Sequence, residues 1–305
     1  MTASACPLIR HWRRTSFPER SLRLSFAVSV LWVFAGLLAA PFAQGQQIQS
    51  RFVQDRGELI NWYYAATFGT GVYTSGDRTV AVLQIPLSHT LREPDEDRWG
   101  LRITLPVSVG FYDYRFDDVF DQGFPESLNT VSFVPGIELE KQITRRWRLR
   151  PYASAGAGWA LDGAEHAWIY DVGLRSRFLL GEDQGVEFTL VNRLALSGYD
   201  ADEGSRQPLS YFAIGLDITV PTEIEFRGRN LVLGMTPAYY HYFRRIRYSE
   251  FDNPDNSIAE EFELAVSVLT RRPFSFLGID VDRVGIAVRG GDGVTGVRLF
   301  TSLPF

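Results

Sequence analysis

The residues with the types and spacing for chemistry are charged side chains that recur on one parity of a period-two pattern. Glu138 and Glu140 end one alternating segment, and Arg148 and Arg150 open the next across a short turn. Arg175 and Arg177 precede a second short turn, with Glu187 just beyond it. Arg102, Asp217, Arg271 and Arg283 fall at the same end of their own segments. Lys141 is the only lysine, so nearly every base is arginine, whose planar fork donates to several carboxylates at once. Such a set has two uses: a charged constriction that selects or gates solutes, or a network of ion pairs that fills an enclosed interior.

A second candidate is nucleophilic. Beyond the N-terminal region the histidines are His89, His166 and His241. If the segments around 209–220 and 229–245 pair, Ser210 and His241 become neighbours on the apolar face, the minimum for acyl transfer. Asn230 lies too far along its segment to orient that imidazole, and no G-x-S-x-G context surrounds the serine. A histidine beside Tyr239, Tyr240 and Tyr242, in a belt of interfacial aromatics, is the plainer account. The expectation is therefore no enzymatic activity, with a lipase-like hydrolase using Ser210 and His241 as the alternative. The sequence holds no metal-ligand spacing and no phosphate-binding glycine loop, so neither a metal nor another cofactor is expected.

These side chains need strands to position them. In Leu209–Val220 one parity reads Phe212, Ile214, Leu216, Ile218 and Val220, and the other reads Tyr211, Ala213, Gly215, Asp217 and Thr219. A strand sends successive side chains to opposite faces, so this alternation means one apolar and one polar face. The pattern returns at 99–115, 127–141, 146–161, 167–180, 185–198, 261–271 and 282–290, and more weakly at 62–74, 78–91 and 229–245. With 293–305 the count is about twelve. Twelve such faces exceed what one compact sandwich of this length can bury. A closed barrel with its apolar face toward lipid accommodates them and leaves no unpaired edge in hydrocarbon. Polar connections at 116–126, 199–208 and 246–257 alternate with short ones at 142–145 and 181–184, as external loops alternate with periplasmic turns. The fold class expected is all-β: a transmembrane, antiparallel, up-and-down barrel of outer-membrane type.

Composition agrees. The chain has 22 Phe, 13 Tyr and 7 Trp, a supply suited to aromatic girdles at two membrane interfaces. Arginines 10, 13, 14, 20 and 23 against Glu19 give residues 1–45 a net charge of +4, so the remainder carries −9 of the formal −5. An acidic chain offers no footing for nucleic acid. The Arg-bearing start, the apolar run Leu24–Leu38 and Ala43-Gln44-Gly45 follow the order of a cleaved secretory signal. That run is shorter than the roughly 20 residues a spanning helix needs. The only cysteine, Cys6, lies within this segment, so no disulfide is expected. The domains expected are a signal peptide at 1–45, a short segment at 46–61 and the barrel at 62–305. The segment 46–61 has two readings, a short helix in the lumen and a frayed periplasmic tail.

The chain closes on GVTGVRLFTSLPF, with Leu303, Thr301, Leu299 and Val297 at alternate positions before Phe305. This resembles the C-terminal signal by which outer-membrane barrels are recognised, although Pro304 removes a backbone donor. The resemblance implies that Leu303 and Phe305 are read by the barrel assembly machinery. It also implies periplasmic chaperones and outer-membrane lipid as partners, in a Gram-negative outer membrane. The final hairpin on Gly290-Gly291-Asp292-Gly293, the strand count and the short region before the barrel resemble the solitary autotransporter-like barrels, which lack a secreted passenger. That resemblance covers about 62–305, rests on architecture, and implies no catalytic residues. A narrow pore and a structural membrane protein both remain open on it.

Overall fold

The computed structural model describes residue 62 and residues 69–75, 78–95, 97–112, 130–161, 165–202, 206–226, 228–247, 257–276, 279–291 and 294–303. The chain divides into Met1–Gly57 and Glu58–Phe305, and the described residues all belong to the second unit. The expected signal peptide, the segment 46–61 and Phe305 lie outside the described residues, as does the Arg271 side chain.

Thirteen strands form one antiparallel sheet: β1 Gly71–Ser75, β2 Arg78–Arg92, β3 Gly100–Tyr112, β4 Thr130–Phe133, β5 Gly136–Thr144, β6 Trp147–Ala160 and β7 His166–Asp183. After these come β8 Val186–Ala201, β9 Arg206–Phe226, β10 Arg229–Arg247, β11 Ser257–Phe276, β12 Ile279–Gly291 and β13 Val294–Phe300. β1 pairs with both β2 and β13, and β2 with β3, so the sheet closes into a ring. β4 and β5 both pair with β3 and with β6, so they are two halves of one wall strand and the barrel has twelve. The break between them falls at Val134-Pro135, opposite Pro106. Neither proline has an N–H to donate, and the ladder is carried past the gap by Val134 N–H to the Pro106 carbonyl and Ala155 N–H to the Pro135 carbonyl.

The strands are steeply staggered. The line of cross-strand partners Ala160, Thr130, Gly110, Val82, Gly71, Arg298, Ala287, Ala265 circles the ring. It continues through Thr236, Asp217, Thr189 and Leu179. It returns to the strand it left at Arg146, whose carbonyl accepts from Leu179 N–H, near the opposite end. Closure of a sheet requires such a shear and the tilt that goes with it. Tilted strands place side chains of non-neighbouring strands close together inside.

The parity expected from the sequence is the parity observed. Tyr211, Ala213 and Asp217 are buried inside, while Leu194, Leu196, Phe262, Val284, Ile286, Val288 and Leu299 are exposed outside. An exterior of leucine, valine and isoleucine around an interior of arginine, carboxylate and tyrosine is a membrane barrel's distribution, the inverse of a soluble protein's. Trp99 and Trp147 are exposed outside near one rim, Trp159 and Trp168 near the other.

Several boundaries differ from the sequence reading. β1 begins at Gly71 rather than at residue 62. Trp62 belongs to no strand: it is fully buried against the inward-facing Gly158, where a Cβ would fall 2.2 Å from its ring, and its indole N–H donates to Glu165 at 3.0 Å. Residues 199–208 are mostly strand rather than loop, with Tyr199 and Asp200 paired to Gln207 and Arg206. The last strand stops at Phe300, and Leu303 lies beyond it. One short turn, Asp183 to Val186, places Gln184 and Gly185 at φ of 51° and 84°. Two consecutive positive φ values match the right-handed twist of a two-residue hairpin.

Candidate functional site: the charged lumen

The inward face carries a chain of linked ion pairs. At the end with short turns, Glu140 binds Arg150 at 2.7 Å and Arg148 at 3.2 Å. Glu138 binds Arg175, with Arg150 at 3.9 Å. The Arg175 guanidinium lies 4.2 Å from the centre of the Tyr152 ring. Tyr152 leads deeper: its hydroxyl donates to Asp171 and accepts from Arg193 Nε at 2.7 Å. Arg193 also binds Asp171 at 2.6 Å, and the Ser197 hydroxyl donates to the same carboxylate at 2.7 Å.

On the facing arc, Arg283 grips Asp217 with two parallel bonds of 2.7 and 2.8 Å. The Thr236 hydroxyl donates to Asp217 at 2.8 Å, and Arg177 approaches it at 3.7 Å. Asp217 and Arg283 are 1% and 4% exposed. They belong to β9 and β12, so the bond passes behind β10 and β11 and is a chord of the ring. Toward the other end, Glu263 binds both Arg289 and Arg298, Glu261 takes Arg289 at 3.4 Å and the Tyr242 hydroxyl at 2.6 Å, and Arg289 lies 4.0 Å over the Tyr240 ring.

Of the sequence candidates, Glu138, Glu140, Arg148, Arg150, Arg175, Arg177, Asp217 and Arg283 come together in this network. Arg102 sits across from Glu138 in register and donates to Thr90. Glu187 is a correction: it lies at the hairpin turn opposite Glu182, while Arg175 and Arg177 pair across other strands with Glu138 and Asp217. Asp171, Arg193, Glu261, Glu263, Arg289 and Arg298 are equally part of the network, and strand parity alone would have included them.

Arg148 has 42% of its side chain exposed, which weakens it as the keystone it resembles in sequence. Ion pairs in contact with water contribute little. Arg148→Ala is therefore expected to lower stability by no more than about 1 kcal/mol, read as a shift in the urea midpoint of refolded barrel.

The nucleophile candidate resolves differently. His241 and Ser210 both face outward, but among the described residues no hydrogen bond joins them. The imidazole Nδ1 lies 3.7 Å from Glu260 on the next strand, and its ring sits beside Tyr239 and Phe243. Tyr239 in turn packs on Phe262 with ring centres 5.1 Å apart. This is an aromatic patch on the outer wall.

No protein-family model and no curated protein matches the chain. Among solved structures, the beta domain of the Bordetella autotransporter Brka is 10% identical, covering 75% of this chain and 91% of that one, with a TM-score of 0.43. LpxR from Salmonella typhimurium is 10% identical over 75% and 90%, with a TM-score of 0.40. The NanC porin is 9% identical over 76% and 97%, with a TM-score of 0.37.

Proposed function

We propose that this is a non-enzymatic integral protein of a Gram-negative outer membrane, whose lumen is closed by its own side chains. The observation that carries the reading is the Asp217–Arg283 chord, bidentate, reinforced by Thr236 and almost wholly removed from solvent. A wide aqueous channel would hydrate those groups, and a hydrated ion pair needs no such set of donors. The apolar exterior supports lipid as the surrounding partner, and delivery by the barrel assembly machinery after periplasmic chaperones belongs to the same proposal. On this reading the protein is a structural membrane protein rather than a narrow pore.

The test is conductance. Refolded protein inserted in planar bilayers is expected to give no stepwise openings at moderate voltage. Regular openings in most insertions would replace this reading with the pore. The alternative, a hydrolase using Ser210 and His241, lacks the nucleophile–base hydrogen bond such chemistry relies on. Ester turnover abolished by Ser210→Ala would restore it.

A further inference from the structure

The ion-pair network is not balanced along its length. Near the rim with short turns, six inward arginines (148, 150, 175, 177, 193 and 283) share four carboxylates, Glu138, Glu140, Asp171 and Asp217. Adding Arg102 beside Glu138, and Glu187 with Glu182 opposite it at the turn, still leaves the arginines one in excess. Toward the opposite rim no such excess remains, with Arg289 and Arg298 against Glu261, Glu263 and the buried Glu165.

The excess is crowded. Arg148 is the direct cross-strand partner of Arg177, Arg150 of Arg175, and Arg175 of Arg193. Like charges directly opposite one another on one face repel. Two of these guanidinium groups keep unused donors as well: Nε of Arg150 and Nε of Arg175 are buried without a hydrogen-bond partner. A buried donor left unpaired is unfavourable, and one on a cation more so. Asp217 offers Arg177 little relief, because Arg283 already holds both of its oxygens and Arg177 stands at 3.7 Å. Solvent reaches this group: the side chains of Arg148, Arg150, Arg175 and Arg177 are 42%, 20%, 26% and 28% exposed, whereas Arg193 and Arg283 deeper in are nearly sealed. In a chain that is acidic overall, the arrangement is a local cationic mouth of crowded guanidinium groups that solvent reaches.

We propose that this mouth binds a small, water-soluble oxyanion of the phosphate type, carrying two or more negative charges. Planar guanidinium groups match such oxygens with paired bonds, and a doubly charged guest would offset the excess of the six arginines over the four carboxylates they share. The side chains point into the lumen, away from lipid, so the guest is a solute rather than a headgroup. Arg150, Arg175 and Arg177 would hold it, with Arg148 at the entrance. The inference stands whether or not the lumen conducts, because a site at the mouth needs no through-passage.

Calorimetric titration with inorganic phosphate tests it, on barrel refolded in a phosphate-free non-ionic detergent and against sodium chloride at matched ionic strength. Saturable binding is expected for phosphate and none for chloride. Arg177→Gln, which removes only a long ion pair, should weaken phosphate about tenfold. Glu140→Gln removes a competing carboxylate and should tighten it. Heat-modifiability confirms that each variant is folded; if Arg177→Gln fails to fold, the direction of the Glu140→Gln change decides alone. No saturable heat, an equal response to chloride, or affinity unmoved by either substitution would overturn the site. Repeating the titration in vesicles containing phosphatidylglycerol covers the other source: an unchanged affinity supports a soluble guest, and competition by the headgroup overturns it.

Discussion

Asp217→Ala is expected to lower stability by about 3–5 kcal/mol. The carboxylate is 1% exposed and receives two bonds from Arg283 and one from Thr236. Its removal leaves the Arg283 guanidinium, 4% exposed, with no other carboxylate paired to it among the described residues. An uncompensated buried cation is far costlier than the pair is favourable, so the double variant Asp217→Leu with Arg283→Met should recover much of the loss. Urea unfolding followed by tryptophan fluorescence measures both. Losses below about 1 kcal/mol for Asp217→Ala would mean that water solvates the pair as it does a surface bridge. That outcome would undercut the closed lumen together with the chord on which it rests.

The same pair marks where sequence reading stops. Parity was legible because it is local: a side chain's face follows from counting in twos along one strand, and Tyr211 and Asp217 fall inside as counted. Partnership is not local. Arg175 was expected to meet Glu187 across their own hairpin, yet it reaches behind β6 to Glu138. Asp217 and Arg283 are separated by two whole strands of wall. Which charges meet inside depends on the stagger accumulated around the full ring, and no single segment encodes that. Hairpin neighbours were readable only within a few residues of the turn, as for Glu140 with Arg150.

The misplaced boundaries have a related cause. Residues 199–208 are polar and contain Gly204 and Pro208, so they look like a loop, yet β8 and β9 stay paired there. Polarity marks where a strand leaves the hydrocarbon, whereas hydrogen bonding marks where it ends, and strands can project past the membrane. The break at Val134-Pro135 had a visible cue in the proline itself, since a central strand tolerates proline poorly. Trp62 was counted into the first strand on its apolar character, but its indole is used in the interior, against Gly158 and Glu165. For the outer wall, the sequence brought Ser210 and His241 to one face but did not reveal Glu260 as the imidazole's neighbour. That contact depends on the register of β11 against β10.

The neighbour of Asp217 provides the second large effect. Leu216 faces outward midway along β9, where the wall meets lipid, while Thr219 faces inward three residues later, directly across from Glu187. The same new residue placed at these two positions meets opposite solvents. Leu216→Arg sets a guanidinium against hydrocarbon near mid-span and should cost about 2–4 kcal/mol, the depth-dependent penalty of a charge on the lipid face of a barrel. Thr219→Arg sets it in the lumen beside a carboxylate and should change stability by less than about 1 kcal/mol. Both substitutions add one positive charge to the chain, so their difference chiefly reports the environment of each face. Folding in vesicles of defined lipid, with unfolding read by heat-modifiability, gives both values on one scale. The bilayer's thickness offers a further handle: in thinner vesicles the Leu216→Arg penalty should fall, since the arginine can reach the interface more readily, and the Thr219→Arg value should not move. Equal penalties at the two positions, or a penalty at Leu216 indifferent to thickness, would mean that β9 does not turn this face to lipid.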